Sequence, residues 1–316
     1  MVAASSGTKL ADFQDIELGG HDLKVNTLDW NCTGDCLASG TPNPALLLHR
    51  LQPSGLGRAD GLSAAPSQKL SGVATNNFFV VWHPTDPDRL ASLDDQGVRI
   101  WDARHAKVTM TLPLHNPKKL LYAVWVPNGH DILVTSASNI NTLIDVRKEA
   151  VIKALPNDIE TNQAAISPDG KTVMQGLGNG HVSVCDFPNF RPRTSLPAHM
   201  ERVVSCKFDP SGSYFLSGSH DSTVTVWDVH NLMPVTTHHN YDAAINDASF
   251  SHDSQLLALG GEEQVIKINE TMTGELAHEI PCRSLPLALC WNPQHMMLAY
   301  SGRDHGTSAY VNVFAP

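Results

Sequence analysis

Residues 217–228 read SGSHDSTVTVWD, and the chain just upstream, from Pro197, reads PAHMERVVSCKFDPSG. A histidine (His199), a serine (Ser217), a turn aspartate (Asp221) and a Trp-Asp pair (Trp227, Asp228) fall within thirty residues of one another. Two short alternating apolar runs, VVSCKF and TVTVW, flank turns built from Asp, Pro, Ser and Gly, which is the signature of paired strands. The polar residues are therefore either a chemical site or part of how the sheet is built. The rest of the chain decides between these.

The VVSCKF run recurs. Aligned on its closing aromatic or apolar residue, it appears as VNTLDW at Trp30, NFFVVW at Trp82, LYAVW at Trp125, NQAAI at Ile166, VVSCKF at Phe208, INDASF at Phe250 and PLALCW at Trp291. Successive separations are 52, 43, 41, 42, 42 and 41, so seven units share one period and the first interval carries an insertion. Each unit continues with a turn, a second apolar run such as YFLSG or LLALG, another turn and a third run such as VRIWD, TVTVWD or QVIKIN. A more variable fourth strand, KVTMTL or MPVTT, fits in each joining segment. Four short strands in about forty residues make one propeller blade, and seven blades close into a ring. The fold expected is all-β, one seven-bladed propeller spanning 1–316. The last unit stops after its third strand, and an unused alternating segment precedes the first, so residues 9–18 are expected to supply the closing strand of blade seven. Residues 49–72, rich in Pro, Gly, Ser and Ala, read as a variable and mobile surface insertion, either a docking loop or a neutral one.

Composition bounds the function. The 316 residues carry a formal charge of -10, and charged residues make up only 17% of the chain. An extended phosphate-binding face needs Lys and Arg that this balance does not supply, and the basic residues at Lys118-Lys119, Arg147-Lys148 and Arg191–Arg193 are dispersed. The six cysteines form no CxxC pair, which suggests buried thiols in a reducing compartment. No basic start with an apolar core and no long apolar run is present, so a soluble intracellular protein with no membrane contact is expected.

The blade-five stretch resembles a WD40 repeat, whose arrangement joins a histidine before the first strand, a hydroxyl in the second, an aspartate in the next turn and a tryptophan in the third. The matching positions are His199, Ser217, Asp221 and Trp227. The resemblance implies a structural hydrogen-bond network, because a turn aspartate needs donors and an imidazole passes the bond on to a hydroxyl and an indole. A His-Ser-Asp trio also suggests a hydrolase, but no GxSxG elbow is present. Other blades depart from the pattern: blade two keeps Ser92, Trp101 and Asp102; blade three has Ile144-Asp145; blade four has Cys185-Asp186; blade six has Ile268-Asn269; blade one has LLLHR. His238-His239, His220 and His252 lack metal-ligand spacing, Cys32 and Cys36 make at most a lone pair, and the glycine fragments at 176–180 and 259–263 read as turns. No catalytic residue, cofactor site or metal site is expected, and the protein is not expected to be an enzyme.

At a finer level the chain resembles the THO complex subunit 3 family from about Gly20 to Phe314. The segments that carry this are HDLKVNTLDWNCTGDCLASG at 21–40, FFVVWHPTDPDRLAS at 78–92 with VRIWDAR at 98–104, VSVCDFPNFRP at 182–192, and the runs at 207–229 and 245–268. Most distinctive are the non-Trp third strands of blades three, four and six. The resemblance implies a non-catalytic scaffold subunit of THO within the TREX assembly, which couples transcription to mRNP packaging and nuclear mRNA export. Its expected partners are the other THO/TREX subunits, met through the propeller faces in the nucleus, with RNA contacted indirectly. A general WD40 adaptor, such as a ubiquitin-ligase substrate receptor or a chromatin scaffold, is the alternative.

Overall fold

The structure, a computed structural model, describes residues 10–19, 21, 23–41, 46–53, 62–64, 67–70, 77–114, 120–303 and 309–316. Their regular structure is strand, apart from a 3-10 turn at Leu10–Asp12. The strands form seven antiparallel sheets arranged as a seven-bladed β-propeller. Blade five is representative: Val203–Phe208, Tyr214–Ser219, Val224–Asp228 and Pro234–His238 follow in order from the axis outward. The innermost strands touch one another around the whole circle, with Thr27–Trp30 of blade one meeting Pro286–Trp291 of blade seven.

Local chemistry sets each hairpin. The residue that follows the first strand is a short acceptor in most blades, and its side chain holds the amides of the turn. Asn31 accepts from Asp35 and Cys36, Ser167 from Lys171 and Thr172, Asp209 from Ser211 and Tyr214, and Asn292 from Gln294 and His295. These bonds imitate a backbone turn and fix its register. Gly212 sits at φ 72° in the blade-five hairpin, where a side chain would be strained and would press on Pro168 of the neighbouring blade. The aspartate that ends the third strand in blades two, three and five has a parallel task one turn later. Asp102 accepts from the amides of Arg104 and His105, Asp145 from Arg147 and Lys148, and Asp228 from His230 and Asn231.

The second strand of each blade is buried on both faces, whereas the first alternates between buried and half-buried residues. In blade five, Val224–Trp227 are all buried, while the fourth strand is mostly exposed. The apolar side chains fill the spaces between blades. Leu216, Val224 and Val226 of blade five pack against Ile245, Ala248, Leu257 and Leu259 of blade six, and the other blade pairs repeat this.

An innermost strand has one edge facing the axis, where its amides and carbonyls meet no further strand. Side chains of the preceding blade satisfy part of that edge. The Thr27 hydroxyl bonds both N and O of Val80, and Ser205 likewise bonds N and O of Ala248. Gln163 accepts from the Cys206 amide, Asp29 from Trp82 (2.6 Å), Asp247 from Leu289 (3.0 Å) and Ser249 from Trp291 (3.2 Å). Asn162 donates to Val203 and Asn246 to Pro286. Polar side chains on the channel wall therefore stitch each blade to the next, which accounts for their place beside an apolar core.

Blade seven takes its outermost strand from the other end of the chain, with Gln14–Leu18 pairing antiparallel with Ala309–Ala315 in the register Gln14↔Ala315 to Leu18↔Val311. Phe13 and Leu18 are buried there, and Phe13 packs on Phe314 at 5.1 Å between centroids. The strand is shorter than the segment 9–18 expected from alternation: Leu10–Asp12 turn instead, and residue 9 lies outside the described residues. The expected insertion at 49–72 is likewise revised. Its first residues continue the third strand of blade one, Leu46–Pro53, and Gln68–Leu70 return to pair with Leu46–Leu48 as the outer strand. Leu70 is drawn into the sheet because it packs, fully buried, with Leu46 and Leu48. Leu62–Ala64 pairs with Leu51–Pro53; residues 54–61, 65–66 and 71–72 lie outside the described residues.

Candidate functional site: buried networks and an axial channel

In blade five the four expected residues converge. The Trp227 indole donates to Ser217 Oγ at 2.9 Å, Ser217 Oγ lies 2.8 Å from His199 Nε2, and His199 Nδ1 lies 3.0 Å from Asp221 Oδ2. Asp221 also accepts from the Met200 amide (2.9 Å) and the Thr223 hydroxyl (2.7 Å). One proton order satisfies the chain: indole to Ser217 oxygen, Ser217 hydroxyl to Nε2, and Nδ1–H to the carboxylate. Burial lowers the His199 pKa against the pull of Asp221, so the imidazole is neutral. Burial also pushes Asp221 up, but the Thr223 hydroxyl and the Met200 amide outweigh it and hold the carboxyl below its usual value. A nucleophile needs a free lone pair aimed at a substrate, and Ser217 is fully buried with both neighbours engaged.

Blade one holds a second network that the sequence reading missed. His21 Nε2 lies 2.6 Å from Ser39 Oγ, Ser39 Oγ 2.7 Å from His49 Nε2, and His49 Nδ1 2.9 Å from Ser67 Oγ, which donates to the Gly19 carbonyl at 3.0 Å. His49 pairs with Leu37 where Trp227 pairs with Phe215, so an imidazole stands in the indole position. The signal was present in the spacing: His21 precedes Ser39 by 18 and Ser39 precedes His49 by 10, the same intervals as His199–Ser217 and Ser217–Trp227. With His49 neutral, the Ser67 bond to Gly19 fixes every proton. His49 donates from Nδ1 to Ser67, accepts at Nε2 from Ser39, and Ser39 accepts from His21. Burial, reinforced by the nearby His21, lowers the His49 pKa to about 4.

Elsewhere the pattern is partial or replaced. Blade two keeps the Trp101–Ser92 bond at 2.9 Å. In blade six Asn269 takes the indole position opposite Leu257, donating to His238 Nδ1 (3.1 Å) and to Asn240 (3.1 Å), while His238 Nε2 meets the Thr271 carbonyl at 3.2 Å. His238 is thus a buried structural group whose pKa burial lowers to about 4, and His239 beside it is exposed. Blade three pairs Ile132 with Ile144 and blade four Val173 with Cys185, so packing alone serves there. Among the described residues, no group of three or more His, Cys, Asp or Glu is placed to hold a metal ion, and no helix is long and apolar enough to cross a membrane. All six cysteines are unpaired in disulfides. The Arg147-Lys148 and Arg191–Arg193 groups lie exposed at the outer rims of blades three and four, whereas Lys118-Lys119 lies outside the described residues.

Two kinds of surface remain. The faces and rim carry exposed apolar side chains, notably Met200 at 92% exposure, Met233, Val151 and Ile152. The axial channel carries Asp29, Lys207 and Asp247 among polar and aromatic neighbours.

A model of the WD domain, G-beta repeat, matches residues 14–43 and 190–228. The chain is 30% identical to THO complex subunit 3 of Arabidopsis thaliana over 289 residues, covering 91% of this chain and 89% of that one. It belongs to the WD40-repeat family and is related to the THO complex subunit 3 family. It is also similar to WD repeat-containing protein AAC3 of Dictyostelium discoideum, at 25% identity over 89% of this chain and 62% of that protein. A third relative is the serine-threonine kinase receptor-associated protein of Mus musculus, at 23% identity over 66% of this chain and 55% of that one. WD40 propellers present protein–protein interaction surfaces built from turns that vary without disturbing the strands, and this chain is a scaffold of that kind.

Proposed function

We propose that the protein is a non-catalytic scaffold subunit of a THO complex, within a TREX-type assembly that couples transcription to mRNP packaging and nuclear mRNA export. The observation that carries this reading is the match to THO complex subunit 3 across about nine-tenths of both chains. Three features support it. The polar trio of blade five is consumed by the sheet, leaving the faces and rim as the surfaces on offer. The formal charge of -10 suits contact with protein subunits and leaves RNA to be met through them. The exposed apolar residues lie on turns and outer strands, where contacts form without repacking a core. The protein acts in the nucleus on this reading.

The test is purification of the tagged protein at its native expression level from nuclease-treated nuclear extract, followed by mass spectrometry. Stoichiometric recovery of the other THO subunits is the expected result. Recovery of cullin adaptors or chromatin proteins in their place would overturn the THO assignment in favour of a general WD40 adaptor.

A further inference from the structure

The innermost strands enclose an axial cavity of about 440 Å³. Phe79 and Tyr122, from blades two and three, contribute a pair of rings with centroids 4.4 Å apart, tilted by 50°. Asp29, Lys207 and Asp247, from blades one, five and six, bring charge to the same space. Both carboxylates act electrostatically on the Tyr122 phenol, so rings and charges share one chamber.

The two carboxylates differ in what they have left to give. Asp247 is occupied: Oδ1 accepts from Lys207 Nζ at 2.8 Å and from Ser205 Oγ at 3.0 Å, and Oδ2 accepts from the Leu289 amide. Lys207 is occupied in turn, donating also to the Leu289 carbonyl at 3.3 Å. Asp29 uses Oδ2 for the Trp82 amide, and no ion pair is recorded for it among the described residues. Burial accordingly pushes the Asp29 pKa up to about 7, against the Trp82 amide, the more distant Lys207 charge and the Trp30 amide. A carboxylate in that position is completed by a cation that brings its own charge into the chamber.

The walls say which kind of cation. Calcium or magnesium needs six or more oxygen ligands, and Asp29 brings a single carboxylate, already bonded to backbone amides, to a chamber that also holds two rings. Ring faces attract alkylammonium and guanidinium groups, whose charge is spread and weakly hydrated. A cavity of this volume falls within the range of small-ligand sites, and its lining is polar apart from the two rings and a few aliphatic side chains.

We propose that the axial cavity binds an organic monocation, an alkylammonium or guanidinium group, ion-paired to Asp29 and seated against Phe79 and Tyr122. The same chemistry is carried by a free small amine and by an arginine or lysine side chain inserted from a partner. Binding holds Asp29 ionised, so at neutral pH it is accompanied by proton release. Lys207, Asp247, Tyr122 and Cys290 are the other titratable groups facing the chamber, and of these Tyr122 and Cys290 stay protonated because burial pushes both pKa values up.

The test is calorimetric titration of the full chain with N-methylguanidinium, tetramethylammonium, arginine amide and an acetylated tripeptide with central arginine, at pH 7 in two buffers of different ionisation enthalpy. Saturable one-site binding with proton release is expected, weakened at least tenfold by Asp29→Asn and by Phe79→Leu and strengthened by Lys207→Met. Asp29→Asn keeps an oxygen for the Trp82 amide, and a thermal melt checks that the ring is intact; if that variant does not fold, the Phe79 and Lys207 variants decide. Tighter binding of the tripeptide than of arginine amide assigns the site to a partner side chain, and equal binding assigns it to a free small cation. Absence of saturable binding by all four probes, or binding unchanged in Asp29→Asn and Phe79→Leu, would overturn the proposal.

Discussion

Acidification from pH 7.5 to 5 is expected to destabilise the ring through two buried imidazoles. His49 and His238 are 1% and 2% exposed, and burial lowers each pKa from 6.5 to about 4. In the unfolded chain both take a proton near pH 6.5, whereas in the folded ring neither does until about pH 4. A histidine with a depressed folded pKa contributes stability that is complete above the unfolded value and is lost as pH falls towards the folded one. At pH 5 the loss is about 2 kcal/mol per histidine, with a slope of about 1 kcal/mol per pH unit between 6 and 5. Asp29 acts oppositely. Its folded pKa is raised from 3.8 to about 7, so its contribution is present below 3.8 and is lost as pH rises through 7. The two effects separate by comparing variants. Guanidinium unfolding of the wild type and of His49→Gln at pH 7.5, 6 and 5 isolates the imidazole, since glutamine offers donor and acceptor without titrating. The variant is expected to be less stable at pH 7.5 and to show a slope shallower by about 1 kcal/mol per unit below pH 6. An unchanged slope, or an NMR titration placing the folded His49 pKa near 6.5, would refute the burial argument.

Ser217→Ala is expected to cost about 1–3 kcal/mol in denaturant unfolding, because it strands the Trp227 indole and His199 Nε2 in the dry interior; an indole N–H resonance unmoved by the change would sink that account. Thr27→Val, which removes both hydroxyl bonds to Val80 at nearly constant volume, is expected to cost about 1–2 kcal/mol by the same measurement while leaving the blade-one network intact. Removal of residues 1–18 uncovers the edge of Ala309–Ala315 and the apolar surface under Phe13 and Leu18. The truncated chain is expected to lose about 3 kcal/mol or more and to self-associate in size-exclusion chromatography, and a monomer with an unshifted thermal midpoint would contradict the closure.

The number of blades and their strands were legible because they rest on period and alternation, which survive the loss of any single residue. The blade-five network was legible because all its members keep their usual types. Its counterpart in blade one was obscured by one substitution, His49 for the indole, although the intervals 18 and 10 were intact. Residues 68–70 were misread for a different reason. Three residues are too few to show alternation, and the pairing of Leu70 with Leu46 spans a segment whose composition signals a loop. The channel constellation was illegible in principle. Asp29, Phe79, Tyr122, Lys207 and Asp247 are spread over more than two hundred positions, and only the closure of the ring brings them together.

The pattern of decay among the blades follows from where the bonds lie. The Ser–Trp bond acts within a blade, between its second and third strands, which already share a full ladder of backbone bonds. Its replacement by Ile132–Ile144 or Val173–Cys185 exchanges one satisfied polar pair for apolar contact, which costs little when both partners go together. The channel side chains act between blades, on backbone groups that have no strand beside them. Deleting Thr27 or Ser205 leaves both a donor and an acceptor of the next blade to be resolvated in the channel. Substitution should therefore be tolerated more readily at the Trp position than at the clamps, and a paired scan of the two classes separates this from simple burial. Ser92→Val combined with Trp101→Phe is expected to cost less than the same number of changes at Thr27 and Ser205, although all four side chains are equally buried. The reverse order would place the integrity of the ring in the individual blades rather than in the joints between them.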